Sequence, residues 1–473
     1  MKNFSRTGIS SILVVLLSAC QSAAQYNLTQ SVEYPDSWQT NLNTELAEQT
    51  SKKISEGQYL ASWLQSDRLL TLIEEALQHN QNIQKQKLEV EKSRAYLARA
   101  SAALWPDLNF SFSANRSQGS ASDAQAASRF NAGVSASYQI DVWGKLNQAE
   151  QAAQLNYQIN LANLKQAELD LVSSVTNLWF EKAAAMQVYA LYQQRYENVK
   201  SNLEIIESGY QSGLNRALDV YLTRNDLENE KSRLLEQQER IDSLNRQLNL
   251  LLGGYPSEQL TTGSELQQLN YQFPSGVPAE LIKRRPDVQK AWLAILVDNA
   301  ELAIAHKNRF PSFSISASLN DSQSSLSDLF KEGIAWSLGA SLFQPIFDAG
   351  NLKAAEQIAE LELNQSELSY LQTLYAAFEE VETALSNLQA LQQRLTYRLN
   401  SKQNAEKAEQ LAFEQYLAGI SSYSTYLEAQ RRAYDARSQV IDIKKQIVVS
   451  QIQLHQSLGG DSALERLQRG SRE

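Results

Sequence analysis

The sequence predicts a mainly helical protein with a small β part, and two observations carry this prediction. The chain has only 18 glycines and 8 prolines among 473 residues, which favours long uninterrupted helices. Against this background, four short segments alternate apolar and polar residues with a period of two, as strands with one apolar face do. The clearest is RFNAGVSASYQID at 129–141. The other three segments lie at about 107–115, 311–320 and 334–345.

Four strands are too few to close a membrane barrel within one chain, because the smallest such barrels need about eight. Strand edges cannot stay unpaired in lipid, so we expect several chains to pool their strands. A dimer would supply eight strands, and side chains would largely fill the interior of such a barrel. A trimer would supply twelve strands, which can surround an aqueous pore. We favour the trimer, with the apolar strand faces toward lipid and the Ser, Asn, Gln and Gly faces toward water.

The rest of the chain predicts long helices arranged in a repeat. Tyr210-Gln-Ser-Gly-Leu214 matches Tyr416-Leu-Ala-Gly-Ile420 at an offset of 206 (416 minus 210). Apolar residues recur every seven positions along the segment 157–199, which is typical of a coiled-coil face. A helix of that kind with about 60 residues would be roughly 90 Å long. Repeat one (66–254) is predicted to hold helices at about 67–103, 144–207 and 214–252, and repeat two (287–460) helices at about 287–308, 352–410 and 424–458.

The flanking segments indicate a compartment and exclude some functions. Lys2 and Arg6 precede an apolar run that ends in Leu-Ser-Ala-Cys20, which predicts a signal peptide at 1–19 and acylation of Cys20. Cleavage after Ser-Ala-Ala24 is the alternative. A net charge of -10 argues against a nucleic-acid surface. The remaining segments are 20–65, predicted to be lipidated and to pack at the equator, a proline-rich linker at 255–286 and a tail at 461–473.

Several of these features together resemble the TolC-like outer-membrane efflux family, in its lipoprotein branch. They are the duplicated plan, the lipobox, the segment PAELIKRRPD at 278–287 and the paired Tyr-x-x-Gly turns. The resemblance covers essentially the whole mature chain. It implies a homotrimer with a twelve-strand β-barrel in the outer membrane and a periplasmic α-helical barrel. It also implies two partners, a periplasmic adaptor (membrane fusion) protein and an inner-membrane pump.

The expected function is therefore the exit duct of a tripartite efflux system, which opens at its periplasmic tip when adaptor and pump dock. Two alternatives stay open: the duct of a type I secretion system, and a non-conducting periplasmic coiled-coil scaffold. The amphipathic strands favour a duct, because a scaffold needs no lipid-facing β surface. The sequence leaves the cargo undetermined, since selectivity in such systems belongs largely to the pump.

The resemblance also implies site residues at the two helix-turn-helix tips. Gly213-Leu214 and Gly419-Ile420 are the predicted adaptor contacts, and a simple helix stop is the alternative for each glycine. Glu428-Ala-Gln-Arg431 matches an acidic-Ala-Gln-Arg run beside the gate, where three acidic side chains on a threefold axis would repel one another. An ordinary solvated helix face is the alternative for this run, while Arg431 could pair with a carboxylate across the helices. The remaining gate candidates are Asp219, which could instead cap a helix, Ser422, and Ser424, which stands where relatives often carry a larger aliphatic residue.

No pattern in the sequence predicts catalysis. His79, His306 and His455 are isolated, without Cys or His neighbours at metal-ligand spacing. No phosphate-binding loop or nucleophile elbow is present. We therefore expect no enzymatic activity, no cofactor and no metal site.

Overall fold

The computed structural model describes residues 66–120, 125–256, 282–331 and 333–460, and residues 28, 35, 38, 260 and 278 singly. The predicted signal peptide, Cys20 and the tail lie outside the described residues, as does most of the predicted N-terminal segment and linker.

The described residues confirm the mainly helical class with a small antiparallel sheet. None of the helices in these parts of the chain combines the length and the hydrophobicity that a membrane span requires. In chain order the elements are α1 (Asp67–His79), α2 (Gln81–Ala102), β1 (Asp107–Ser117), β2 (Ala127–Ile140), α3 (Lys145–Gln211), α4 (Ala217–Leu251), α5 (Pro286–Lys307), β3 (Ser312–Gln323), the 3-10 turn Leu326–Asp328, β4 (Ala335–Phe343), α6 (Asn351–Leu417) and α7 (Tyr423–Ser457).

Helix lengths recur between the two halves. Helices α3 and α6 have 67 residues each, and the return helices α4 and α7 have 35 each. Helix α6 begins 206 residues after α3 (351 minus 145), and α7 begins 206 residues after α4 (423 minus 217). The long helices end later than the predicted 207 and 410, because Gly209 falls in the last turn of α3 and does not stop it. A Cβ at Gly209 would lie 2.3 Å from Nδ2 of Asn215, so this glycine makes room for the side chain that follows the turn.

The predicted single helix at 67–103 is wrong: the chain breaks into α1 and α2 at Asn80. Asn80 has an extended ψ of 125°, and its Oδ1 accepts hydrogen bonds from the backbone N–H groups of Asn82 (2.9 Å) and Ile83 (3.2 Å). Its Nδ2 donates to the carbonyl of Leu251 at 2.9 Å, at the end of α4. Asn80 therefore caps α2 and the C-terminus of α4 together. A capping partner 171 residues away leaves no local signal.

Arg285 occupies the corresponding place in the second half. Its Nη1 donates to the carbonyl of Ser457 at 3.0 Å, and Ser457 follows Leu251 by 206 residues (457 minus 251). The same guanidinium binds Asp287 through two bonds of 2.7 and 3.0 Å, and lies 2.7 Å from Glu380. Residues of the Arg-Arg-Pro-Asp segment therefore join the end of α7 to the start of α5.

The strands form one antiparallel sheet in the order β1-β2-β3-β4, so β1 and β4 each pair on one side only within the described chain. The register places Phe110, Val134, Leu319 and Trp336 in one cross-strand row. On the opposite face, Ser318 and Ser337 are hydrogen-bonded at 2.8 Å, as are Ser314 and Ser341 at 2.7 Å. One face of the sheet is thus apolar and the other is lined with small polar groups.

Strand ends differ from the prediction by a few residues. Strand β2 stops at Ile140, because the carboxylate of Asp141 accepts bonds from the N–H groups of Leu146 (3.0 Å) and Asn147 (2.9 Å) in α3. Strand β4 stops at Phe343, two residues before Pro345, which has no N–H for a ladder. Strand β3 extends to Gln323, beyond the predicted 320, since Asn131 and Phe130 continue to pair with it.

The chain divides into two compact units. Of the longer described segments, one unit takes the residues within Ala103–Ala152 and Ala294–Leu368 and contains the sheet. The other takes those at 66–102, those within Ala153–Leu293 and those at 369–460, and it contains both helix-turn-helix tips. The core of this second unit packs α1 against the middle of α3 and the ends of α4 and α7, through Leu69, Leu72, Ile73, Val172, Val175, Trp179, Leu248 and Ile452 among others.

Candidate functional site at the helix-turn-helix tips

Both tip turns have the same hydrogen-bonded geometry. In the first, the N–H of Leu214 donates to the carbonyl of Gly209 at 2.8 Å and the N–H of Gly213 donates to Tyr210 at 3.0 Å. In the second, Ile420 donates to Gln415 at 2.9 Å and Gly419 to Tyr416 at 2.9 Å. These bonds define a Schellman motif, which satisfies the last carbonyls of a helix. It requires a left-handed residue, and Gly213 and Gly419 have φ values of 75° and 72°.

The apolar residue after each glycine points into solvent. Leu214 is 82% exposed and Ile420 is 78% exposed. A Cβ added at either glycine would meet no atom within 4 Å, so the turns are open on that side. Two exposed aliphatic side chains at matching positions form a surface that would favour burial against another molecule.

The return helices start differently at the two tips. Ser422 caps α7: its Oγ accepts from the N–H of Thr425 at 3.3 Å and lies 2.8 Å from the hydroxyl of Ser424. Arg216 precedes α4 without a side-chain cap bond, and its guanidinium binds the buried carboxylate of Asp219 at 3.3 Å. Asp219 thus lies in the first turn of α4, where a negative charge complements the helix dipole. Ser422 and Ser424 belong to the capping group.

An aromatic core next to the tip turns joins the α3–α4 hairpin to the α6–α7 hairpin. Ile206 of α3, Val220 of α4 and Ala412 of α6 pack with Tyr423 and Tyr426 of α7. The rings of Tyr423 and Tyr426 have centroids 5.9 Å apart. The Tyr426 hydroxyl accepts from the amide of the buried Gln430 at 2.7 Å, and burial raises the pKa of the Tyr423 phenol well above its ordinary value. The second tip therefore contributes most of the aromatic side chains of this core.

The acidic gate candidate is engaged within its own helix. Glu428 accepts two bonds from Arg431, of 2.9 and 3.0 Å, and one of 2.7 Å from Arg432. Hydrogen bonds from Arg432 and then Arg431 hold the pKa of Glu428 below its usual value. Arg431 also reaches Asp435 at 3.3 Å. The predicted pairing of Arg431 across the helices is not seen, because i,i+3 and i,i+4 partners on α7 occupy its guanidinium.

Further along the same helices, a buried group of charges was missed by the sequence analysis. Arg195 of α3 and Glu230 of α4 form a 3.1 Å ion pair, with side chains only 7% and 1% exposed. The Arg195 guanidinium also lies over the ring of Tyr434 at 5.4 Å, and Arg437 lies over the same ring at 4.9 Å. The Tyr434 hydroxyl accepts from the Asn198 amide at 2.7 Å.

These charges are arranged by hairpin. Arg437 pairs with Glu406 at 2.7 Å and Glu409 at 3.2 Å, both on α6, so each ion pair stays within one hairpin. Tyr434 of α7 contacts the α3–α4 hairpin in two ways: the Arg195 guanidinium lies over its ring, and its hydroxyl accepts from the Asn198 amide. Burial raises the pKa values of Glu230 and Glu409, although arginines near both favour the ionised forms. The sequence did contain a sign that Arg195 is buried. Arg195 lies four residues from both Leu191 and Val199, which are buried, so it falls on the apolar stripe of α3.

The histidines are dispersed in the structure. His306 contacts Glu356 at 2.6 Å, and the carbonyl of His79 faces Gly253 so closely that a Cβ there would lie 2.3 Å from it. Among the described residues, no group of three or more His, Cys, Asp and Glu side chains is placed to hold a metal ion.

Comparison with known proteins identifies the family. The family model described as outer membrane efflux protein matches residues 72–254 and 277–460, one match for each half. This chain belongs to the outer membrane efflux protein family. The outer-membrane localisation predicted from the sequence is confirmed by this membership.

Individual relatives of this outer membrane efflux protein are distant but extend over most of its length. The cation efflux system protein CusC of Escherichia coli (strain K12) is 28% identical over 398 residues, which covers 83% of this chain and 87% of CusC. The "Probable outer membrane lipoprotein SilC" of Salmonella typhimurium is 27% identical over 397 residues, which covers 82% of this chain and 85% of SilC. A crystal structure of CusC superimposes with a TM-score of 0.79 at 26% identity, and covers 86% of this chain and 97% of that chain.

Proposed function

We propose that three copies of this outer membrane efflux protein form an exit duct, which opens at its helix-turn-helix tips when a periplasmic adaptor and an inner-membrane pump dock. The observation that carries the proposal is the sheet. One of its faces exposes Phe110, Leu319, Trp336 and Leu338, while the other carries hydrogen-bonded serines. Such a face is favourable in lipid and costly in water.

The edges of the sheet support a trimer. Strands β1 and β4 leave one backbone edge each without a partner in the described chain. Exposed N–H and C=O groups are not tolerated in hydrocarbon, so an edge strand of one copy must pair with the opposite edge of the next. Three copies of four strands give twelve, which is wide enough for a water-filled lumen lined by the serine face.

The tips supply the docking surface of the proposal. Leu214 and Ile420 are the most exposed apolar side chains of the two turns, and the Schellman geometry holds both in fixed positions. An adaptor with a complementary apolar helical surface would bury them. CusC, a relative of this chain, is named as part of a cation efflux system, which supports a role beside other components.

The gate is proposed to involve the exposed face of α7 that carries Glu428 and Arg431. Glu428 lines an open groove between α6 and α7 together with Thr425 and Arg432. Arg431 pairs with Glu428 at 2.9 Å. The arginines on the same helix neutralise Glu428, so three copies of this face would repel one another less than three bare carboxylates. Loss of Glu428 would leave Asp435 as the acidic partner of Arg431 and would remove the acidic partner of Arg432, and the excess positive charge on three copies of this face would favour separation of the tips.

Single-channel recording in planar bilayers tests the duct. We expect purified protein to conduct weakly, and the variant Glu428→Ala to conduct more strongly and more often. Glu228→Ala is the matched control, because Glu228 is an exposed carboxylate of α4 that pairs with Lys231 on its own helix at 2.7 Å. Absence of conductance in all three proteins would contradict the proposal, and so would a molecular mass in detergent that corresponds to two chains.

We further propose that Cys20 carries the lipid anchor. Its place after Leu-Ser-Ala supports this assignment, and the relative SilC is named as an outer membrane lipoprotein. Mass spectrometry of the N-terminal peptide from membranes should show an acylated Cys20, and Cys20→Ser should abolish the modification. An N-terminus that begins after Ala24 would contradict the assignment.

A further inference from the structure

The loop between β3 and β4 has an unusual relation to the sheet. Strand β3 extends to Asp321 and beyond, and Asp321 lies opposite Ala132 of β2, which in turn lies opposite Phe112 of β1. This row belongs to the apolar face of the sheet. An ionised carboxylate on a lipid-facing surface is costly unless hydrogen bonds and cover compensate for it.

The loop provides that cover. The backbone N–H of Phe330 donates to Oδ2 of Asp321 at 2.6 Å, and the Gln323 amide donates to Oδ1 at 3.0 Å. Asp321 is 5% exposed and its neighbour Ala132 is 3% exposed, although most of the apolar face around them is open. Phe330 has a φ of 66°, a left-handed backbone conformation that is rare for a bulky residue. The Phe330 end of the loop therefore lies against the apolar face beside Asp321.

The outer surface of this loop is apolar. Leu326 is 57% exposed and Phe330 is 58% exposed. Ile334, one residue before β4, is 53% exposed and continues the apolar alternation of that strand. Lys331 and Asp328 of the same loop lie 3.6 Å apart and compensate each other's charge. A loop that only covered Asp321 in water would present polar side chains outward, since exposed Phe and Leu favour association with apolar surfaces.

We propose that the β3–β4 loop is a lipid-contacting foot, which inserts Leu326 and Phe330 into the outer leaflet beside the barrel wall. The foot is continuous with the apolar row of Phe112 and Ala132, so the same hydrocarbon that contacts the sheet would cover it. This inference rests on the proposed function, because only the membrane orientation of the sheet places lipid at this face. The β1–β2 loop is different, since its described residues are small or polar: Gln118, Gly119, Ser120, Gln125 and Ala126.

An environment-sensitive fluorophore on single introduced cysteines tests the foot. The chain contains one cysteine, Cys20, so the parent protein treated with the same reagent is the blank. Leu326→Cys and Phe330→Cys report on the foot, Leu338→Cys on the apolar sheet face, and Ser120→Cys on the other loop. Each labelled full-length protein is placed in phosphatidylcholine vesicles and quenched separately with doxyl-labelled lipid and with aqueous iodide.

We expect the labels at Leu326, Phe330 and Leu338 to show blue-shifted emission, quenching by doxyl lipid and protection from iodide, while Ser120 shows the reverse. Asp321→Ala should then abolish the lipid quenching at Leu326 and Phe330 and leave Leu338 unchanged. If the label at Leu338 is quenched by doxyl lipid while the labels at Leu326 and Phe330 are quenched by iodide, the loop does not contact lipid, and the proposed duct is unaffected. If the foot labels are shielded from both quenchers, the loop contacts a neighbouring chain instead and the inference fails. If Leu338 itself reports water, the proposed function fails.

Discussion

At the scale of single residues, the helices of the tip hairpins carry exposed ion pairs that contribute little to stability and a buried ion pair whose disruption would cost much more. Glu428, Arg431 and Arg432 lie at the surface, where ion pairs contribute little to stability. Arg195 and Glu230 are almost completely buried, and removing one partner of such a pair leaves the other charge without compensation. The two kinds of pair should therefore respond very differently to substitution.

We expect Glu230→Gln to destabilise the α3–α4 hairpin by about 3 kcal/mol, because Arg195 would stay buried beside a neutral amide. Hydrogen exchange of α3 and α4 amides measures this as a loss of protection. Glu228→Gln, on the exposed side of the same helix and paired with Lys231, should leave the protection unchanged. Equal effects of the two substitutions would show that the Arg195–Glu230 pair does not stabilise the hairpin.

At the scale of elements, each half is held at its ends by caps. Asp141 caps α3, and Asp348 caps α6 by accepting from the N–H groups of Leu352 at 2.8 Å and Gly350 at 3.0 Å. Ser422 caps α7, and the left-handed glycines end α3 and α6. These local devices determine where helices of 67 residues begin and end, because nothing in their interiors would stop them.

The cap at Asp141 predicts a pH dependence. Burial alone would raise the pKa of Asp141, but hydrogen bonds from the backbone N–H groups of Asn147 and Leu146 outweigh it and lower the pKa below its ordinary 3.8. A lowered pKa stabilises the fold above the ordinary value, and this contribution is lost as the pH falls through the lowered pKa.

Asp141→Ala should therefore cost about 1 kcal/mol at pH 7 and progressively less below pH 3.8, where the parent loses the same interaction. Thermal unfolding of both proteins between pH 3 and pH 7 measures the difference. Asp141→Asn is a second variant without a carboxylate, and its difference from the parent should shrink over the same pH range, because the carboxylate that becomes protonated is the parent's Asp141. A difference between Asp141→Ala and the parent that grows on acidification would contradict the cap.

The second tip turn gives another prediction at this scale. Gly419→Ala should destabilise the last turn of α6 by about 1 kcal/mol, because an L-residue with a Cβ disfavours the left-handed conformation. Space is not the cause, since no atom lies within 4 Å of the added Cβ. Gly419→Asn should cost less, because asparagine tolerates that conformation. Hydrogen exchange at residues 414–420 distinguishes the two variants, and equal protection would mean that the turn relaxes out of the Schellman geometry.

At the scale of the whole molecule, the sheet decides how the chain assembles and where it resides. Alternate residues of β4 point to lipid and to the lumen in the proposed trimer. Leu338→Lys would put a charge on the lipid side and should oppose insertion by about 2–4 kcal/mol per chain, whereas Ser337→Lys on the adjacent lumen side should be tolerated. The fraction of protein inserted into lipid vesicles measures this. Equal losses for both variants would contradict the assignment of the two faces.

Much of this architecture was predictable because it rests on local patterns. Period-two alternation predicted all four strands, and the Tyr-x-x-Gly turns predicted both tips, since each depends on residues close together in sequence. The break at Asn80, the shared role of Asn80 and Arg285, and the return of the β3–β4 loop to Asp321 were not predictable. In the first two cases the partner lies 171 or 172 residues away, and in the third a carboxylate lies where the alternation calls for an apolar side chain.

The sequence by itself determined the helical class, the repeat and the amphipathic strands, because helix periodicity, glycine stops and strand alternation act within a few residues. Only the tertiary structure decided which charges are buried and which are solvated. Glu230 and Glu428 are indistinguishable as letters on two return helices, yet Glu230 faces Arg195 in the interior and Glu428 is neutralised at the surface. Burial is a property of packed helices, and the energy of a charge depends on it more than on any neighbour in the chain.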